Sequence, residues 1–177
     1  IGLAVADSSG HGLPAALMAR DVVTGLRVAL DVNYRAVRAI EKVNRVVSQS
    51  ALVSRFISLF YAEIEASGML MYCNAGHPPA LLWREGQIRR LTDGGIVLGV
   101  DPHARYQRRF DRLLPGSMLV VYTDGISEAR GRRGNFFGSA GLEKLLRAHN
   151  KRSAAEFVDI VFHEIERRAS GPREDDQ

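Results

Sequence analysis

Two aspartates in this sequence stand just after apolar runs and just before glycine-containing turns. Asp7 follows the run at residues 1–6, and Asp124 follows the run at residues 118–122 after one threonine. A short apolar run that ends in turn residues is typical of a buried strand. We therefore expect both carboxylates to lie at strand ends, where they could share one cleft.

Carboxylates in such positions could hold a hard cation, because Mg²⁺ and Mn²⁺ prefer oxygen ligands and complete their shells with water. The alternative is structural, since Asp before Gly is a common turn former. A third acidic group, Glu174-Asp175-Asp176, is either a further ligand or a solvated tail. Spacing alone indicates a metal site without establishing one.

The elements that must position these aspartates follow from the periodicity of the apolar residues. Helical spacing after Pro14 and again from Ala36 to Val47 predicts two consecutive amphipathic helices. Alternating runs around short turns predict two antiparallel hairpins, at residues 56–73 and 80–91. The run at 118–122 predicts one more strand. Two helices follow, and Gly171-Pro172 is expected to end the last one.

The order of these elements favours an α+β fold, because helices and strands come in separate blocks instead of alternating regularly. The chain has 177 residues, of which 46% are hydrophobic, and this suits a single globular domain spanning residues 1–177. Helices that cover mainly antiparallel sheets would bury the apolar faces described above.

Composition argues against several classes of protein. No apolar run is long enough to cross a membrane, and no signal-peptide pattern begins the sequence. The single cysteine, Cys73, favours a reducing compartment, with the cytoplasm as the default. The net charge is +4, and 21 of the 24 basic residues are arginines. Their clusters lack the interleaved aromatics of a nucleic-acid binder, so solvated surface is the favoured interpretation and no nucleic-acid partner is expected.

Four segments of the sequence, taken in order, carry motifs. They are Asp7-Ser8-Ser9-Gly10-His11-Gly12-Leu13-Pro14-Ala15-Ala16, Phe56-Ile57-Ser58-Leu59-Phe60-Tyr61, Asn74-Ala75-Gly76-His77-Pro78-Pro79 and Tyr122-Thr123-Asp124-Gly125-Ile126-Ser127-Glu128-Ala129. They resemble, respectively, the Asp-x-Ser-Gly-His-Gly-x-x-Ala-Ala, Phe-x-Thr-x-x-Tyr, Asn-Ala-Gly-His-Pro-Pro and Tyr-Thr-Asp-Gly-x-x-Glu-Ala patterns of one family. That family is the SpoIIE/RsbU-like branch of the bacterial PPM-type serine/threonine protein phosphatases.

The resemblance implies a sandwich of two packed, mainly antiparallel sheets flanked by helices, and it implies roles for the aspartates. Asp7 would bridge two Mn²⁺ or Mg²⁺ ions, with the backbone carbonyl of Ser8 as a further ligand. Asp124 and Asp175 would each hold one metal, and Asp7 and Asp124 would be the catalytic carboxylates. Water activated between the two cations would attack phosphorus in line, without a phosphoenzyme.

The same resemblance implies a phosphoserine or phosphothreonine protein as substrate, typically a STAS-type anti-anti-sigma factor. A sensory or receiver domain, fused or in trans, would control the activity. A noncatalytic scaffolding module with a degenerate metal site is the alternative. The two helices between residues 14 and 50 could pair with a second copy in a homodimer, although core packing explains their apolar stripes equally well.

Several other residues of these segments invite a functional role. His11 and His77 could contact the phosphate, but their tight loops favour a role in orienting those loops by hydrogen bonds. Asn74 is similarly expected to organise its loop, and Cys73 is expected to be a small core residue. Arg132 and Arg133 are candidates for docking a protein substrate, with a solvated loop as the alternative.

Both ends of the sequence depart from the family pattern. The family normally has a Gly-Gly-Asp-x-x-Asp segment upstream of the position of Asp7, and its closing pattern is Asp-Asp-x-Thr. This sequence begins at Ile1 and ends at Gln177, one residue before the expected threonine. We therefore expect edge strands of the full domain to be missing at both termini.

Overall fold

The structure is a computed structural model, which describes residues 1–31, 35–49, 56–131 and 135–168. The chain separates into two compact units, one formed by Ile1–His77 with Thr92–Arg112 and the other by Pro78–Leu91 with Leu113–Gln177. The elements in chain order are β1 (Gly2–Ser8), α1 (Leu13–Asp31), α2 (Ala36–Gln49), β2 (Ile57–Ile64), β3 (Met69–Ala75), β4 (Ala80–Arg84), β5 (Gln87–Leu91), β6 (Gly94–Gly95), β7 (Arg109–Arg112), β8 (Met118–Val120), α3 (Asp124–Ser127), α4 (Gly138–His149) and α5 (Ala154–Arg168).

The first unit has one mixed sheet with the strand order β1-β2-β3-β6, and β7 also pairs with β3. The pairs β1–β2, β2–β3 and β3–β7 are antiparallel, whereas the short β3–β6 pair is parallel. Apolar residues of α1 and α2 supply much of its core. They recur with the period of a helix and therefore lie on one face of each helix, which can be buried. Members of this core are Met18, Val22, Leu26, Ile40, Val43, Ile57, Leu59, Tyr61 and Cys73.

The second unit has an antiparallel sheet with the strand order β5-β4-β8. Its β4–β5 hairpin turns at Glu85 and Gly86, whose φ angles of 49° and 83° are both positive, as a two-residue turn of this hand requires. Side chains from the sheet and the helices α3, α4 and α5 make a separate core, which includes Leu81, Tyr122, Ile126, Phe137, Leu142, Leu146, Phe157, Val161 and Ile165.

The predicted α+β class is confirmed, with two sheets and helices in the expected order. Both hairpins and both pairs of helices lie where the sequence indicates them. The strand predicted over residues 118–122 ends earlier, at Val120, and residues 121–123 lead into α3 without ladder pairing. The predicted helix stop at Gly171-Pro172 lies outside the described residues.

Two short strands were not predicted from the sequence, namely β6 and β7. The arginine cluster that includes Arg109 and Arg112 contributes both ends of β7, although the two side chains are exposed as expected for solvated arginines. Neither strand has an apolar run of its own, so only pairing with β3 makes them strands. No helix in the described ranges is both long enough and apolar enough to cross a membrane.

Candidate active site

The end of β1 carries Asp7 and Ser8, and hydrogen bonds tie the next residue to the segment that enters β2. The Ser9 N–H donates to the carbonyl of Phe56 at 2.9 Å, and the Phe56 N–H donates to Ser9 Oγ at 2.9 Å. Asp7 and Ser8 are both half-buried. The strand end is therefore held on one side, with the Asp7 carboxylate and the Ser8 carbonyl next to each other in sequence.

A glycine turn separates this strand end from α1. Gly10 and Gly12 have φ angles of 84° and 78°, which side-chain-bearing residues adopt only with strain. The carbonyl of Gly12 accepts the hydrogen bond of the Ala16 N–H at 3.1 Å, so the first turn of α1 begins there. His11 is exposed between the two glycines. The turn thus presents an imidazole to solvent four residues after Asp7.

The loop after β3 is organised by Asn74, as the sequence predicts. The amide group of Asn74 donates to the carbonyl of His77 at 3.0 Å, and its Oδ1 accepts the N–H of His77 at 2.8 Å. His77 is only 4% exposed, and its Nδ1 lies 2.8 Å from Ser58 Oγ. These contacts are of the kind expected if His77 orients its loop by hydrogen bonds, a role that stays a prediction.

Asp124 belongs to the second unit, where it begins α3. Thr123 precedes it in extended conformation, and the buried side chains of Tyr122 and Ile126 lie on either side of it in sequence. Its carbonyl accepts hydrogen bonds from Ser127 Oγ at 3.2 Å and from the Glu128 N–H at 2.6 Å. The main chain of Asp124, a half-buried residue, is thus held in a short turn between two core residues.

Three predicted site residues, Asp175, Arg132 and Arg133, lie outside the described residues. Hydrogen bonds flank the segment that contains the two arginines: the Gly131 N–H donates to the carbonyl of Asn135, and the Phe137 N–H donates to that of Ala129, both at 2.9 Å. The residues on either side of this segment are therefore joined by main-chain hydrogen bonds.

The donor chemistry of Asp7, the Ser8 carbonyl and Asp124 fits a hard divalent cation, because all the atoms concerned are oxygens. Among the residues that the structure describes, no group of three or more His, Cys, Asp or Glu side chains lies close enough together to hold a metal ion. The third predicted carboxylate, that of Asp175, is not among them. The residues present fit the expected ions by ligand type.

Cys73 is fully buried in β3, as predicted for a core residue. Burial raises the pKa of its thiol from 9.0 to about 12, because a thiolate would lose its hydration there. The thiol is therefore protonated at neutral pH, and we assign it no role in chemistry.

The sequence interpretation missed two features that organise this region. Ser58 was noted only as part of a motif, although its hydroxyl contacts both His77 and the main chain of Asp7. No role was predicted for the Asp93-Gly94-Gly95 segment, in which the Asp93 carboxylate accepts hydrogen bonds from Tyr72 at 2.8 Å and Arg109 at 3.0 Å. Two adjacent glycines after an aspartate were the signal for the close approach of β6 to β3.

Comparison with known proteins identifies the family and the fold of this chain. The family described as Stage II sporulation protein E (SpoIIE) matches residues 1–177. The phosphoserine phosphatase RsbU of Bacillus subtilis is 30% identical over 168 residues, which are 93% of this chain and 50% of that protein. The chain thus spans about half the length of this relative.

Two solved structures show the same fold at lower identity. The SiaA-PP2C domain of Pseudomonas aeruginosa has a TM-score of 0.85 at 18% identity, covering 98% of this chain and 72% of that one. The PP2C phosphatase domain of SpoIIE from Bacillus subtilis, solved with a fragment of its regulatory domain, has a TM-score of 0.79 at 19% identity, covering 98% and 51%.

The fold, the ordered motifs and these matches define a SpoIIE/RsbU-like domain of the PPM type. Within that class, the chain belongs to the SpoIIE family. Metal dependence is expected for this family, and one solved structure of the SpoIIE phosphatase domain is of a crystal presoaked with Mn.

Proposed function

We propose that the protein containing this chain removes phosphate from phosphoserine or phosphothreonine on a regulatory protein, and that residues 1–177 act as one catalytic domain. The match of the SpoIIE family over the whole chain supports this, as does the similarity to a named phosphoserine phosphatase. The observation that carries the proposal is the end of β1, where the family's aspartate is half-buried, main-chain-anchored and followed by a glycine turn.

Asp7, with the neighbouring Ser8 carbonyl, would hold both divalent cations, and Asp124 and Asp175 would hold one each. Bound Mn²⁺ or Mg²⁺ would supply the Lewis acidity that makes water nucleophilic near neutral pH and offsets phosphate charge. The contribution of the chain itself is to keep these oxygens in place before substrate arrives. The hydrogen bonds between Ser9 and Phe56 serve this purpose in the first unit.

His11 is the better candidate of the two histidines for contact with the substrate phosphate. It is exposed in the turn that follows Asp7, whereas the His77 side chain is buried and engaged with Ser58. An imidazole in such a turn can donate a hydrogen bond to a phosphate oxygen or to the leaving serine oxygen. His77 would act on substrate only indirectly.

The partner would be a phosphoprotein, and a STAS-type anti-anti-sigma factor is the specific candidate. Arg132 and Arg133 would dock it by charge, since arginine forks suit phosphate and carboxylate groups. A sensory or receiver domain, fused or in trans, would regulate the activity in the cytoplasm. The neighbouring structure with a fragment of a regulatory domain supports this type of organisation.

The test is release of inorganic phosphate from a phosphoserine STAS protein by the intact protein, with and without Mn²⁺. Metal-dependent release that chelation with EDTA abolishes is the expected result. The noncatalytic alternative predicts binding of the phosphoprotein with no phosphate released at any metal concentration, and that result would reject the proposal.

A further inference from the structure

A cluster of buried polar side chains contacts the end of β1 through Ser58, and none of its members is a proposed metal ligand. Ser58, Asn74 and His77 are 9%, 3% and 4% exposed. Burying polar side chains is unfavourable unless they are hydrogen-bonded, so a group of them in a sheet core calls for a physical reason. Ser58 lies on β2, the strand that pairs with β1, whereas Asn74 lies on β3 and His77 lies in the loop that follows it.

A series of contacts connects the loop after β3 to Asp7. Asn74 holds the main chain of His77 at both its N–H and its carbonyl. His77 Nδ1 lies 2.8 Å from Ser58 Oγ, and Ser58 Oγ lies 3.4 Å from the carbonyl oxygen of Asp7. Ser58 is also the residue paired with Asp7 in the β1–β2 register.

Ser58 has one hydroxyl proton, so two patterns of hydrogen bonds are possible among His77, Ser58 and the Asp7 carbonyl. If Ser58 donates to His77 Nδ1, no proton is left for the Asp7 carbonyl. If Nδ1 carries the proton and donates to Ser58 Oγ, the hydroxyl is free to donate to that carbonyl. Only the second arrangement makes hydrogen bonds of both contacts.

We propose that Ser58 and His77 are positioning residues, which orient the peptide unit between Asp7 and Ser8 through the arrangement with the proton on Nδ1. That peptide unit joins the α-carbons of Asp7 and Ser8, the two residues that would supply the carboxylate and the carbonyl ligands. Its orientation therefore helps to fix the positions of the two α-carbons from which those ligand groups extend. The inference rests on the proposed function in one respect, namely that Asp7 and Ser8 are the cation ligands.

The first test needs no metal and measures amide hydrogen exchange at Ser8 and Ser9 in the intact protein. Ser58→Ala and His77→Phe should each accelerate exchange at these amides about tenfold, as expected for loss of one hydrogen bond. Ser58→Thr keeps the hydroxyl, and His77→Asn keeps a donor at the position of Nδ1, so both should stay near the wild-type rate.

A matched control comes from α2 of the same unit. The Ser48 hydroxyl also donates to a backbone carbonyl, that of Asn44, at 2.7 Å. Ser48→Ala removes a comparable hydrogen bond away from β1, so it should leave exchange at Ser8 and Ser9 unchanged. If Ser48→Ala accelerates these amides as much as Ser58→Ala, the effect is general loosening and the inference is wrong.

The second test titrates Mn²⁺ directly by calorimetry. Ser58→Ala should weaken binding about tenfold, the usual scale for losing a group that orients a metal ligand. Ser58→Thr should restore the affinity. Because the two residues act in sequence, the double variant Ser58→Ala/His77→Phe should bind Mn²⁺ no more weakly than the worse single variant.

These outcomes separate the inference from the proposed function. Wild-type exchange rates and Mn²⁺ affinity in a cooperatively folded Ser58→Ala variant would overturn the inference. Accelerated exchange in Ser58→Ala, together with no Mn²⁺ binding by the wild-type protein, would overturn the metal site and leave the positioning of β1 standing. If Ser58→Ala does not fold cooperatively, comparing exchange in His77→Asn and His77→Phe decides the matter.

Discussion

Gly94 lies so close to the main chain of Asn74 that a β-carbon on Gly94 would overlap the Asn74 backbone atoms. The two residues are partners in the parallel β3–β6 pair, and the Asn74 N–H donates to the carbonyl of Asp93 at 2.9 Å. Backbone atoms in a sheet cannot move aside as a flexible side chain can. The segment that organises the His77 loop therefore depends on a residue without a side chain.

Gly94→Ala should lower the free energy of unfolding by about 3 kcal/mol or more, because the added methyl group must displace β3 or β6. Gly2→Ala in β1 is the control, since its added methyl would meet only the Tyr61 hydroxyl, at 3.8 Å. It should change stability by no more than about 0.5 kcal/mol. Denaturant unfolding of both variants measures this, and equal losses would contradict the expectation.

Asp7→Asn should abolish Mn²⁺-dependent hydrolysis of a phosphoserine protein in the intact protein while leaving unfolding cooperative. The amide keeps the size of the side chain but removes the charge that would bridge the cations, which supply several kcal/mol to the transition state. Asp21→Asn is the control, since Asp21 forms an exposed ion pair with Arg20 on α1. Turnover by Asp7→Asn close to that of the wild type would refute the assigned role.

The Cys73 thiol should resist modification in the folded protein. The side chain is fully buried, so a reagent cannot reach the sulfur. Burial also raises the pKa of the thiol to about 12, so the reactive thiolate does not form at pH 8. A thiol-reactive disulfide reagent should label less than about a tenth of the protein within the time that labels the unfolded chain completely. Stoichiometric labelling of the native protein would show that β3 opens readily.

The same pKa shift predicts a loss of stability at alkaline pH. The folded state holds the Cys73 proton more tightly than the unfolded chain, whose thiol has a pKa near 9.0. This contribution is fully present below pH 9 and is lost as the pH rises from 9 towards 12, with a slope of up to about 1.4 kcal/mol per pH unit. Urea unfolding between pH 8 and pH 11 should therefore show a shallower decline for Cys73→Ala than for the wild type, and identical slopes would argue against the shift.

Reversing Arg132 and Arg133 to Glu should slow turnover of the protein substrate at low salt, while hydrolysis of a small aryl phosphate stays nearly unchanged. Charges at the rim of a binding surface mainly alter the association rate and its salt dependence. The matched control reverses Lys151 and Arg152 to Glu. These two adjacent basic residues are exposed between α4 and α5, and their reversal should have little effect on turnover. Equal slowing of both substrates would indicate damage to the catalytic centre instead of lost docking.

The sequence alone was sufficient for the features that depend on near neighbours in the chain. The helical spacing after Pro14 and from Ala36 predicted α1 and α2, and the short turns predicted the β2–β3 and β4–β5 hairpins. The ordered motifs around Asp7, His77 and Asp124 were sufficient for the family. These features can be predicted from the sequence because periodicity, turn chemistry and motif spacing depend on residues that are close together in the chain.

Only the tertiary structure decided which distant residues meet. Nothing in the RFDR segment of β7 marks a strand, and the two glycines of β6 signal only a close approach of backbones. Both segments become strands because β3 supplies the hydrogen-bonding edge. The 19-residue separation of Ser58 and His77 likewise hides a 2.8 Å contact that links a loop to the register partner of Asp7. Such contacts follow from strand register and burial, which are settled by the packing of the whole unit, because a hydrogen bond between residues far apart in sequence forms only after the sheet has brought them together.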